Sequence, residues 1–272
     1  MEKIILGDLL PQGAFIIHST FKNVCNFINA NSELIFITNL KKNISANSIY
    51  IDNENIAQYT NVLISENSVF LNDVNILPQT EFYDSKVDYS ALDILTLEIN
   101  LQIIPNEYNE LFAPESMLFV LLAEKQSFFK SGFDSHFMKN SLNASEIIKF
   151  GEIVEGVKML KGTGKGLTPS GDDFIAGMLY GLHFNEFKHQ KPLANLRNKI
   201  YNASIGKNPL SNSFLLNAKN GNCFYLLKNF VYLASQSKLV SDNLNELFSM
   251  GATSGADLLS GYIFSVQNKI GI

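Results

Sequence analysis

Residues 161–177 read KGTGKGLTPSGDDFIAG. Gly162, Gly164 and Gly166 alternate with other residues, and Thr168, Pro169, Ser170 and Gly171 lead into the acids Asp172 and Asp173. Alternating glycines keep the backbone clear of side chains, so its N–H groups can approach an anion closely. Pro169 suits a helix entry, Ser170 is an N-cap candidate, and the two acids then fall in the first turn, where the dipole favours carboxylates. A glycine-rich loop feeding a helix N-terminus is an anion site. The binding candidates are Gly164, Lys165, Gly166, Thr168, Ser170, Gly171 and Asp172, with Lys165 as a point charge for phosphate or carboxylate. The same stretch also reads as a plain turn before a capped helix, with the acids as dipole partners. Neither G-x-x-x-x-G-K-[ST] nor G-x-G-x-x-G fits the spacing, which excludes the two standard nucleotide loops.

A second copy of this pattern lies near the C-terminus. Ser170, Gly171, Asp173 and Gly177 recur as Ser254, Gly255, Asp257 and Gly261 at a constant offset. Each glycine four residues beyond its aspartate lies on the same helix face and permits a close crossing. Two such helices could bring their N-termini to one site. Neighbouring helical residues point about 100° apart, so only one of Asp172 and Asp173 faces that site. Asp173 has the counterpart Asp257, and these two are the catalytic candidates. Ser254 and Gly255 join the binding set. Chance similarity of two helix starts is the competing reading.

Other chemistry is thinner. His18 closes an apolar strand before Ser19 and Thr20 and is a second-tier catalytic candidate, since a single histidine there is more often a hydrogen-bonded structural residue. His136, His183 and His189 lack the spacing of a zinc site. Mg²⁺ on the acid pair rests on the carboxylates alone, so no metal residues are assigned and the cofactor stays unspecified. Ser211 and Ser213 follow Asn208 and Pro209 and read as helix-capping residues, with Ser211 or Asn212 at the helix start. No G-x-S-x-G elbow occurs.

GLTPSGDDFIAGM, followed by PLSNSFLLNAKNG at 209–221 and SGADLLSGY at 254–262, resembles the DUF2877 family. That family includes the H subunit of the oxamate carbamoyltransferase of anaerobic allantoin degradation. The stretch GAFIIHSTF at 13–21 is also similar to the family's N-terminal pattern. The resemblance implies a carbamoyltransferase subunit binding a small anion (oxamate or oxalurate, carbamoyl phosphate, or phosphate) and working with partner subunits or as a homo-oligomer. An assembly or ligand-sensing subunit, with the paired helices used for packing, is the alternative.

The elements that must carry these residues divide the 272-residue chain in two. Residues 1–107 read as a β-rich, barrel-like domain, with strands at 3–6, 14–18, 34–38, 48–52, 61–65 and 68–72. Glu66 and Asn67 make a hairpin turn, 92–104 alternates as a long strand, and 21–30 suits a helix crossing the sheet. Residues 108–272 read as a mainly α-helical domain, the whole being α+β. An apolar run spans 114–123. Helices are expected from 141 to 160, over 171–184 behind the loop, and at 193–203, 209–219, 223–234, 239–250 and 254–268. A net charge of -5 argues against nucleic acid as a partner. No apolar run reaches the ~20 residues of a membrane span, and MEKIILGDLLPQG lacks a signal-peptide pattern. Two cysteines, Cys25 and Cys223, fit unpaired thiols in a cytoplasmic protein.

Overall fold

The computed structural model describes residues 3–236 and 241–272. They form an α+β protein of two compact units, one of residues 3–87 with 222–228, the other of the remaining described residues.

The first unit is a nine-stranded sheet curled into a half-barrel. Its strands are β1 (Ile4–Gly7), β2 (Gly13–Thr20), β3 (Val24–Asn29), β4 (Leu34–Thr38), β5 (Ser48–Ile51), β6 (Asn61–Ser65), β7 (Ser68–Leu71), β8 (Val74–Asn75) and β9 (Thr80–Tyr83). The order is β8-β7-β6-β2-β3-β4-β5-β1-β9, with parallel pairs at β4–β5 and β1–β9 and antiparallel pairs elsewhere. Alternation sets the register: Val62, Ile64, Val69 and Leu71 point into the core, and Ser65 faces Ser68 across the Glu66–Asn67 turn. Phe15, Phe27, Ile35, Ile37, Ile49 and Ile51 complete that core.

Two segments differ from the sequence expectation. Residues 21–30 hold strand β3 instead of a helix, because the run is followed by a tight turn. Asn29 Oδ1 accepts the N–H groups of Asn31 and Glu33, and Ser32 takes φ 63°. With neighbours on both edges, Cys25, Asn26 and Phe27 are all buried. Residues 92–104 form a helix instead of a strand. Asp93 caps it by accepting from Thr96 N and Oγ1, and Leu97, Leu101 and Ile104 then share the buried face. Leu95 and Ile99, which completed the apparent alternation, are exposed.

The described helices are α1 (Ile94–Glu107), α2 (Gly132–Lys149), α3 (Ile153–Leu160), α4 (Ser170–His189), α5 (Ala194–Ser204), α6 (Pro209–Asn220), α7 (Tyr225–Ala234), α8 (Ser241–Phe248) and α9 (Ser254–Gln267). The expected start of the 239–250 helix, at residues 239–240, lies outside the described residues. The apolar run after Pro114 becomes 3-10 turns at Met117–Val120 and Ala123–Phe128. The helix expected from 141 to 160 is two, α2 and α3, broken at Gly151, which has φ 98°. Helices α4 and α9 form the centre of the second unit. Both are buried almost all round, as expected for helices without a polar face.

Candidate functional site

The glycine repeat sets how α4 and α9 cross. A Cβ on Gly177 would collide with the Leu258 carbonyl, and one on Gly261 with the Phe174 carbonyl. Leu258 occupies in α9 the place that Phe174 occupies in α4, so the crossing is pseudo-symmetric. The next glycine pair repeats the relation: Gly171 abuts the Leu160 carbonyl at the end of α3, and Gly255 the Leu247 carbonyl in α8. Each signature helix is thus wedged against the helix before it and crossed over its twin, and only glycine fits these positions.

This crossing brings the two helix starts together. Asp173 is 1% and Asp257 0% exposed, and the Asp257 carboxyl adds to burial in raising the proton affinity of Asp173. The hydroxyls are exchanged between motifs: Ser254 serves the Asp173 carboxyl, and Ser170, with Thr253, serves Asp257. Thr168 Oγ1 donates to Asp173 Oδ2 at 3.1 Å and lies 3.3 Å from Ser254 Oγ. Met117 N donates to Asp257 Oδ1 at 2.6 Å. Asp173 Oδ1 and Asp257 Oδ2 are buried and make no hydrogen bond among the described residues. Burial dominates the electrostatics. It pushes Asp257 up to about 7 against the lowering effect of Met117 N–H, and holds Asp173 well above the carboxylate range.

The loop before α4 is built differently from the expected cradle. Ser170 does not cap: α4 starts at that residue behind Pro169, and the Ser170 hydroxyl turns to Asp257 because the crossing places that carboxyl beside it. Asp172 accepts from Gly162 N at 2.7 Å and so ties the loop to the helix. Gly171 N donates to Thr163 O, and Asp172 N and Asp173 N donate to Pro169 O. The N–H groups of Gly164, Lys165, Gly166 and Leu167 make no hydrogen bond among the described residues. Gly164 and Gly166 hold φ 99° and 107°, a region that glycine alone enters freely. Lys165 is 74% exposed, sits 2.9 Å from Asp134 Oδ1 and lies over the Phe133 ring. Asn208 Nδ2 donates to Leu167 O at 2.6 Å.

Of the residues singled out in the sequence, Thr168, Ser170, Asp173, Ser254 and Asp257 form one network. Gly171 and Gly255 are packing contacts, Gly164 and Gly166 shape the loop, and Asp172 and Lys165 are engaged with Gly162 and Asp134. His18 belongs to the first unit, where it is exposed on β2 at a register shift between Ile17 and Ser19 and bonds Ser19 Oγ at 3.1 Å. The start of α6 is capped by Asn208, not by Ser211 or Asn212: Asn208 Oδ1 accepts from Leu210 N and Ser211 N, while Asn212 is bonded to Gly206. Sequence reasoning missed the Ser116–Met117 turn, which no motif marks.

The family model described as oxamate carbamoyltransferase subunit AllH matches residues 160–266, and that of the AllH family N-terminal domain matches residues 3–88. The chain belongs to the AllH family. The first of these two matches contains the loop, both signature helices and their crossing; the second contains the half-barrel. No curated protein and no solved structure matches the chain. Among the described residues, no group of three or more His, Cys, Asp or Glu could hold a metal ion, and no helix is long and apolar enough to cross a membrane.

Proposed function

We propose that this AllH-family chain is a subunit of an oxamate carbamoyltransferase-type enzyme and binds its small anionic substrate between the glycine-rich loop and the paired helix starts. The observation that carries this reading is the Asp173–Asp257 pair, held buried by two copies of one motif inside the matched region. The unbonded N–H groups of residues 164–167 supply the oxyanion donors, with Lys165 exchanging Asp134 for the ligand. Asp173 and Asp257 orient the amide end. Partner subunits complete the enzyme, as the word subunit in the family description implies.

Calorimetric titration of carbamoyl phosphate and then oxamate tests the reading, on the chain alone and with co-purified partners. Binding in the wild type that Asp173→Ala abolishes supports it. Absence of binding in both preparations refutes it and leaves the second reading, an assembly subunit. That reading is favoured by Gly177 and Gly261, which serve helix packing.

A further inference from the structure

We infer that Asp173 and Asp257 hold a single proton between them and present one donor and one acceptor to the carboxamide group of a ligand. The inference rests on the proposed substrate site and adds which residues read the amide and in what state. Its basis is geometric. Two carboxyls, 1% and 0% exposed, stand at helix starts that the α4–α9 crossing brings together, and two like charges at such a site cannot both be ionised cheaply.

The groups facing the pair are hydroxyls and one peptide N–H: Thr168, Ser170, Thr253 and Ser254, with Met117 N. The charged groups acting on Asp173 are Asp257 and Asp172, both acids. Lys165, on the adjoining loop, is turned to Asp134. Nothing described there would neutralise a doubly charged pair.

The remaining capacity of the pair matches an amide. Asp257 Oδ1 is taken by Met117 N–H and Asp173 Oδ2 by Thr168, which leaves Asp257 Oδ2 and Asp173 Oδ1 unpartnered. Ser116, the neighbour of Met117, is 1% exposed and its Oγ is also unpartnered. One protonated and one ionised oxygen form the complement of a C=O acceptor and an N–H donor on the same carbon. A carboxylate ligand, having no donor, would leave the ionised oxygen unpaired.

Two measurements test this. Infrared spectra of the full chain labelled with 13C-aspartate should show a protonated-carboxyl band at pH 7 that disappears in both Asp173→Asn and Asp257→Asn. A band that survives in either variant, or is missing in the wild type, overturns the shared proton. Titrations on the chain with its co-purified partners should show oxamate binding roughly tenfold tighter than oxalate at pH 6, with oxamate affinity itself falling by pH 9 as the pair loses the proton that serves the amide C=O. Asp257→Asn supplies a permanent donor beside Met117 and should hold oxamate affinity level between the two pH values. A wild-type oxamate affinity unchanged from pH 6 to 9, oxalate bound as tightly as oxamate at pH 6, or binding that requires added Mg²⁺ overturns the amide reading. The infrared result is independent of the substrate, so failure of the proposed function and failure of the shared proton are distinguishable.

Discussion

The two signature segments share a helix start and differ in what precedes it. Before α4 lies an eight-residue excursion, 162–169, with three glycines at positive φ, free backbone donors and an exposed lysine. Before α9 the chain turns tightly at Gly251, φ 71°, and Gly255 N is bonded to Met250 O. From each segment the serine reaches the other segment's aspartate, and each packing glycine meets the other's backbone. The common part therefore builds the crossing and the acid pair, while the feature unique to the first copy is the open loop. The repeat builds the scaffold, and the open loop before α4 has no counterpart before α9.

Breaking the common part should have the largest effect. Gly177→Val or Gly261→Val places a side chain into the opposing carbonyl and should destabilise the fold by about 3 kcal/mol or more in urea unfolding. Gly132→Ala, which meets nothing within 4 Å, should stay within about 0.5 kcal/mol. Asp173→Ala and Asp257→Ala should each lower turnover of the assembled enzyme at least about tenfold, with cooperative unfolding retained. A loss in only one of them would show that the copies are not equivalent in function.

A pH series sharpens the comparison further. Asp257, at about 7 when folded, lies above its unfolded value, so the folded state binds the proton more tightly and stability from this group falls as pH rises from about 4 to 7. His183 has the opposite sign. Part-buried between α4 and the end of α6, it donates from Nε2 to the Ala218 and Lys219 carbonyls, and desolvation pushes it down to about 4. Its contribution is present above about 6.5 and is lost as pH falls towards 4. The two slopes oppose each other in the wild type. Asp257→Asn removes one, so its melting temperature should drop more steeply on acidification than that of the wild type.

Smaller effects belong to the loops. Gly164→Ala and Gly251→Ala should each cost about 1 kcal/mol through positive φ, with Gly164 the larger because its new Cβ would lie 2.9 Å from Ser170 Cβ. Lys165→Ala should leave the melting temperature unchanged, since the lysine is largely exposed. It should weaken carbamoyl phosphate binding a few-fold, and the loss should shrink with added salt.

Much of this organisation was legible in the chain itself. Six strand positions and six helices follow from alternation, helical spacing and their flanking Asn, Gly and Pro residues. The serine, aspartate and glycine register marks the two helix starts that the crossing brings together. Residues 92–104 misled because their apolar residues satisfy periods of both 2 and 3.6, and only the Asp93–Thr96 cap selects the helix. Residues 21–30 misled because β3 gains its backbone partners from β2 and β4, which a local window does not contain.

What the sequence determined by itself is the repeat: small residues at helical spacing and acids behind a hydroxyl, features set by local backbone geometry. Only the tertiary structure decided which groups meet. Ser170 leaves its own helix end for Asp257, Met117 arrives from 140 residues away, and Asp172 spends its oxygen on Gly162. Those choices depend on the angle and depth at which α4 and α9 cross, and the crossing is fixed by carbonyl groups that fill the space left by absent side chains.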